Sequence, residues 1–202
     1  GEKKVGLARI PVTVKRLDLS ESRIGEIASG WFEHLVELRV LNLEFNNLKS
    51  IPAYAFRGLF KLKVLWLTGN HYSRDEAEFK RMQQAGNTIK SISNEAFAGL
   101  ANLQVLLMHH NKIDALGDGV FQDLAKLKVL KLLDNPVATK LKKQDKIFDP
   151  IRAHCYQLDL RSDSGDALED YWEHTRSYLT DEWFQGPPGK KKRRKQPPKQ
   201  DL

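Results

Sequence analysis

VKRLDLSESRIGEIASGWFEHLVE (Val14–Glu37) is followed without a gap by LRVLNLEFNNLKSIPAYAFRGLFK (Leu38–Lys61), and both stretches carry one apolar ladder. Val14, Leu17, Leu19, Ile24, Ile27, Phe32 and Leu35 recur as Leu38, Leu41, Leu43, Leu48, Ile51, Phe56 and Leu59. The ladder starts again at Leu62, Leu65 and Leu67, then at Leu103, Leu106 and Met108, and then at Leu127, Leu130 and Leu132. Every step is 24 residues except that from Leu62 to Leu103, which is 41, one period plus 17. A fixed period of this size signals a solenoid, in which each repeat buries its apolar edge against its neighbours. Chains built this way bind other macromolecules far more often than they do chemistry.

The ladder matches the pattern L-x-x-L-x-L-x-x-N/C-x-L and resembles the leucine-rich repeat family. Asn46, Asn70, Asn111 and Asn135 are assigned to the Asn position, with Ser22 in the first repeat. A buried Asn there satisfies backbone groups at the turn after each strand. Phe32, Phe56, Phe97 and Phe121, each followed three residues later by Leu, resemble the 24-residue subclass of Toll-like receptors, small proteoglycans and jawless-fish variable lymphocyte receptors. The resemblance covers roughly residues 7–137. Two departures stand out. Leu7–Ser20 is similar to the end of the family's N-terminal cap, and Asp134–Gln144 stands where extracellular members carry a cysteine-rich C-cap, yet neither has its cysteines. Cys155 is the sole cysteine, so no intrachain disulfide can form, and no Asn begins an N-x-[ST] acceptor. These features favour an intracellular, nuclear or organellar setting over secretion.

The expected class is α/β: short parallel strands on a concave face, an irregular or helical convex side, a C-terminal helical cap and a basic tail. The expected order is an N-terminal cap remnant (1–13), about 4.5 repeats (14–137) with a helical insert (71–87), a helical capping segment (138–185) and a basic, Pro-rich tail (186–202). Residues between the ladder leucines point to the concave side by the strand's period of two. The first such column is Asp18, Asn42, Trp66, Leu107 and Lys131; the next are Ser20, Glu44, Thr68, His109 and Leu133, then Glu21, Phe45, Gly69, His110 and Asp134. Phe45, Trp66, Leu107, His109, His110, Lys131 and Leu133 are the candidate protein-binding residues, since an exposed aromatic cluster ringed by charge is how a binding hot spot looks. Covering of the same residues by the chain itself is the competing reading.

The surplus text HYSRDEAEFKRMQQAGN (71–87) opens on a capping box at Ser73 and Glu76 and offers Gly86 as a helix stop, predicting a helix over residues 74–85. Tyr72, Phe79 and Met82 are its candidate contact residues. Past Asn135 the period ends; residues 138–162 read as irregular, with a helix near Lys146–Tyr156 interrupted by Asp149-Pro150. Asp166 and Glu169 then suggest a helix to Phe184 whose stripe of Leu168, Trp172, Thr175, Leu179 and Trp183 would cap the open solenoid, the rival reading being an amphipathic helix offered to an external partner. The tail holds Lys190, Lys191, Lys192, Arg193, Arg194 and Lys195, a run able to contact phosphates, an acidic protein or an anionic membrane surface without reading sequence. Of the net charge of +7, residues 186–202 carry +6 (seven cations, one acid), so the rest of the chain sums to near neutral.

Chemistry is not expected. Adjacent strand residues point to opposite faces, so His109 and His110 cannot chelate together unless a turn intervenes, and solvent-exposed histidines are the better reading. His154 and Cys155 lack an orienting third group. No phosphate loop, EF-hand or H-E-x-x-H occurs, and no apolar run approaches a membrane span. The expected role is a non-catalytic scaffold without cofactors or small-molecule substrate, an accessory subunit of a larger assembly with one or more protein partners. A nucleic-acid-associated protein using the tail, and a fragment of an extracellular recognition receptor, are the alternatives.

Overall fold

The structure is a computed structural model and describes residues 9–69 and 86–160. Six short strands form one parallel sheet in the order β1 (Arg16–Asp18), β2 (Val40–Asn42), β4 (Val64–Trp66), β6 (Val105–Leu107), β7 (Val129–Lys131) and β8 (Gln157–Asp159). Each triplet centres on a ladder leucine, and register pairs them in series: Leu17 with Leu41, Leu65, Leu106, Leu130 and Leu158. The valines that open β2, β4, β6 and β7 suit a pleated, half-buried surface. Two further strands, β3 (Ser50–Ile51) and β5 (Ser91–Ile92), pair in parallel on the returning half of the coil.

Two columns hold the coils together. Phe32, Phe56, Phe97 and Phe121 are fully buried, with Phe32–Phe56 and Phe56–Phe97 stacked at centroid distances of 6.3 and 6.0 Å. The Asn column satisfies backbone groups at each turn. Asn46 Oδ1 accepts from Ile24 N–H at 2.9 Å while its Nδ2 donates to the carbonyls of Leu19 and Leu43. Asn111 and Asn135 repeat this with Ile89 and Ile113. In the third repeat the residue in this role is Asn87: its Oδ1 accepts from Leu48 N–H at 3.1 Å and its Nδ2 donates to Leu43 O at 2.8 Å.

That finding corrects the assignment of the Asn position to Asn70 and the placing of Asn87 in the insert. The surplus is residues 70–86. It departs directly after Gly69, which forms a parallel bridge with Asn87. The sheet ignores it, since β4 and β6 pair as though consecutive. A Cβ on Gly69 would stand 1.7 Å from the His110 carbonyl oxygen, so only glycine fits where the chain leaves the coil. The expected helix over 74–85, with Tyr72, Phe79 and Met82, lies outside the described residues, as do the helix at 166–184 and the basic tail.

The segment after Asn135 is more regular than its text suggests. Pro136–Thr139 and Lys146–Phe148 are 3-10 turns, and a single helical turn, α1 (Asp149–Arg152), follows. The expected helix to Tyr156 is thus shortened. Asp149-Pro150 does not interrupt it but starts it, because proline's missing N–H costs nothing in a first turn. The chain then re-enters the sheet as β8, where Leu158 and Leu160 repeat the ladder's L-x-L. Phe148 stacks on Phe121 at 6.0 Å and extends the Phe column by one step. At the opposite end Val14, Leu17 and Leu19 are only partly buried, whereas Leu38, Leu41 and Leu43 one coil later are fully buried.

Candidate functional site on the concave face

Strand alternation and the turn that follows it lay four columns on the concave side. Sequence reasoning found three and missed the first: Arg16, Val40, Val64, Val105, Val129 and Gln157, two residues ahead of the Asp18 column. The same period of two, run backwards along the strand, would have found it. Val40, Val64, Val105 and Val129 are buried and widen the apolar floor.

The expected exposure of the aromatic centre is corrected. Trp66 is 8 % exposed, Leu107 0 %, Thr68 2 % and Lys131 7 %. Phe45, His110 and Leu133 are half-buried and form the accessible margin. At the centre, Trp66 Nε1 and Thr68 Oγ1 are buried and find no hydrogen-bond partner among the described residues. Each such group costs about 1–3 kcal/mol while it lacks one. Toward the N-terminal side the floor is polar and self-satisfied: Asn42 Oδ1 accepts from Glu44 N–H at 2.9 Å, and Asp18 Oδ1 accepts from Ser20 N–H at 3.0 Å. Toward the C-terminal side Lys131 Nζ lies 3.6 Å from Asp159 Oδ2.

The margin column has a shared backbone conformation. Glu21, Phe45, His110 and Asp134 all take positive φ, between 53° and 56°. A left-handed residue reverses the chain between the strand and the Asn turn, and for a bulky side chain such as Phe45 this conformation is uncommon. At His110 it has a consequence that strand alternation did not foresee. The turn swings the ring back against His109, with centroids 4.8 Å apart at 61°, and His110 Nδ1 reaches Asp134 Oδ2 at 2.9 Å. The two rings therefore share a face, and His109 is buried rather than solvent-exposed. Among the described residues no three His, Cys, Asp or Glu side chains are grouped to hold a metal.

His154 and Cys155 do not engage each other. His154 Nε2 sits 3.2 Å from Leu124 O, and Cys155 Sγ donates to Gln157 O. Burial pushes the Cys155 thiol up to about 11, leaving it neutral and a poor nucleophile near neutrality.

The insert's point of departure adds to this face. Gly69, the last described residue before the insert, occupies the margin column between Phe45 and His110. The leucine rich repeat family model matches residues 12–71 and 84–137, more than half of the chain, and its gap coincides with the insert.

This is a leucine-rich repeat protein.

Over 134 residues it is 31 % identical to podocan of Mus musculus, covering 62 % of this chain and 22 % of podocan. It is also 31 % identical over 132 residues to Toll-like receptor 3 of Boselaphus tragocamelus, covering 64 % of this chain and 13 % of the receptor. Among solved structures, the leucine-rich repeat domain of APL1B aligns with a TM-score of 0.49 and 23 % identity, over 61 % of this chain and 32 % of that one. The leucine-rich repeat chain thus spans well under half the length of these relatives. The family is one of non-enzymatic interaction modules. The relatives are mostly extracellular or secreted, which weighs against the intracellular setting expected from the missing cysteines. No helix among the described residues is long and apolar enough to cross a membrane.

Proposed function

We propose that the chain is a non-catalytic protein-binding scaffold whose concave face takes a protein partner, as one component of a larger assembly. The observation that carries this reading is the accessible margin of that face, where the half-buried Phe45, His110 and Leu133 stand around the Trp66 and Leu107 floor. Aromatic and apolar side chains already partly withdrawn from water, with charge beside them, are what a protein partner's side chains pack against at a binding hot spot. Phe45, His110 and Leu133 are the side chains such a partner meets first, with Leu107 and Lys131 behind them as floor. The inserted stretch follows Gly69, which lies at the same margin, and in this reading its Tyr72, Phe79 and Met82 are secondary contacts. The tail cations Lys190–Lys195 act as an independent anionic-partner device.

A photo-crosslinking side chain introduced at Phe45 tests the face directly, with one at Lys49, an exposed position past the Asn turn, as reference. The proposal expects partner adducts from position 45 and none from position 49. Equal adducts from both positions would remove the concave face from the account. Phe45→Ala should weaken partner capture while leaving the thermal transition in place. Trp66→Ala, by contrast, removes a buried ring and should lower stability by about 3–5 kcal/mol.

A further inference from the structure

The near-neutral charge of the folded repeats hides a segregation that only the register reveals. Lys15, Arg39, Lys63, Gln104 and Lys128 stand one step ahead of the strands, in line from coil to coil. Their backbones are joined in one run: Arg39 N–H donates to Lys15 O, Lys63 to Arg39 O, Gln104 to Lys63 O and Lys128 to Gln104 O, each at 2.8 Å. Each of these carbonyls also accepts the next N–H along, from Val40, Val64, Val105 and Val129 in turn. The row is therefore fixed by paired backbone hydrogen bonds. At the spacing of hydrogen-bonded strands it is roughly 19 Å long.

A second row runs beside it through Glu37, Lys61, Asn102 and Lys126, two residues earlier in each coil. Lys126 Nζ donates to Asn102 Oδ1 at 2.8 Å, and Lys61 pairs with Glu37. Glu37 is the sole carboxylate in either row. The Lys61 hydrogen bond holds its carboxyl below the usual range, and Arg39 and Lys15 add to that pull. The two rows together hold six cations and one carboxylate. The described residues as a whole hold nineteen Lys and Arg against fourteen Asp and Glu, which leaves thirteen cations and thirteen carboxylates elsewhere. All of the positive excess lies on one edge of the solenoid.

We infer that this flank is a binding site for a linear sulfated polysaccharide. A straight row of cations at strand spacing, interrupted at Gln104 and flanked by Lys61 and Lys126, suits a thin polyanion with charge on every sugar, laid along the coils. Phe60, 60 % exposed beside Lys61, and Tyr156, 60 % exposed where the row meets β8, give flat faces at two points against which a pyranose ring packs. Single-stranded nucleic acid needs an aromatic under successive bases, and none stands in the row between Lys15 and Lys128. The site is separate from the concave face and does not depend on the reading of that face.

The test uses the full chain and a heparin-derived octasaccharide as probe, titrated at several salt concentrations. Lys15→Ser, Lys63→Ser and Lys128→Ser together remove three charges from the row. Lys49→Ser, Lys90→Ser and Lys112→Ser remove three from other positions. A third protein has Lys190–Lys195 changed to Ser. The row variant should lose roughly tenfold or more in affinity at physiological salt, and its slope of log affinity against log salt should fall by about two to three. The matched variant should lose no more than about threefold, and the tail variant should keep the row-dependent part of binding. Equal losses from the row and matched variants mean net charge alone, and overturn the proposal. So does binding abolished by the tail change, or an oligothymidine of equal charge bound as tightly and lost with the row. If the triple variant melts several degrees lower, the milder Lys15→Gln and Lys128→Gln pair carries the same comparison.

Discussion

At the scale of single residues, Asn87 shows how one amide can hold a coil. Its oxygen satisfies Leu48 N–H, and its nitrogen satisfies the carbonyl of Leu43 and, at 3.2 Å, that of Thr68. These backbone groups have no water to turn to. Asn87→Ala should therefore cost about 2–3 kcal/mol in urea denaturation, close to the cost of Asn111→Ala, while Asn47→Ala on the exposed surface stays within about 0.5 kcal/mol. A small effect at Asn87 would return the ladder position to Asn70. Cys155 illustrates a different residue-level property. Its thiol is raised by burial, to about 11 from an ordinary 9.0, so the folded chain holds the proton more firmly than the unfolded chain. Between those two values the unfolded state loses its proton first. Stability from this group is thus intact below pH 9 and declines as pH rises toward 11. In native protein at pH 8, iodoacetamide should label Cys155 much more slowly than in urea-unfolded protein, and the native rate should climb steeply above pH 10.

At the scale of elements, the parts read from the sequence and the parts missed differ in how often they recur. Leu17, Leu41, Leu65, Leu106 and Leu130 repeat in register, and with them the strands, the Phe column and three of the four concave columns were legible. The Asn assignment in the third repeat failed because Asn70 and Asn87 both fit the spacing on one side of the surplus, and only hydrogen bonding distinguishes them. β8 was missed because Leu158 and Leu160 carry no Asn after them and no Phe in the expected place; its Phe148 comes before the strand. The burial of Trp66 and the joining of the two histidines were also beyond reach. The first depends on three-dimensional enclosure, and the second on a left-handed turn at a non-glycine residue. Two element-scale outcomes follow from the geometry. Gly69→Ala forces a methyl group into the His110 carbonyl, so the β4–β6 junction must shift, and a loss of about 2 kcal/mol or more is expected in chemical denaturation. Phe148→Ala removes the last ring of the Phe column and should cost about 3–5 kcal/mol. It should also raise amide exchange in β8 before it does so in β7.

At the scale of the whole molecule, a solenoid's stability is a sum of coils and nearest-neighbour interfaces, so its ends decide where opening begins. The two ends of this one are unequal. At the C-terminal side the 3-10 turns, α1 and β8 bring Ile147, Phe148, Ile151 and Leu160 onto the last repeat, and all four are buried. At the N-terminal side Val14, Leu17 and Leu19 are only partly buried and Val12 is exposed. The interface between β1 and β2 therefore stabilises less than any interface further in, and local opening should start there. Native-state hydrogen exchange should find the amides of Leu19 and Val40 exchanging at the lowest free energy among the sheet residues, with protection rising at Leu43 and Leu67 and highest in β6 and β7. Side-chain truncation should follow the same slope: Leu17→Ala should cost markedly less than Leu41→Ala, and Leu41→Ala about as much as Leu106→Ala, within the range of roughly 2–5 kcal/mol for buried leucines. Because the basic row begins at Lys15 on this same weak coil, a polyanion bound along it ties the first coil to the third and fifth. Octasaccharide should then raise protection in β1 more than in β7, and a uniform rise along the sheet would show that the coil interfaces do not differ as their burial implies.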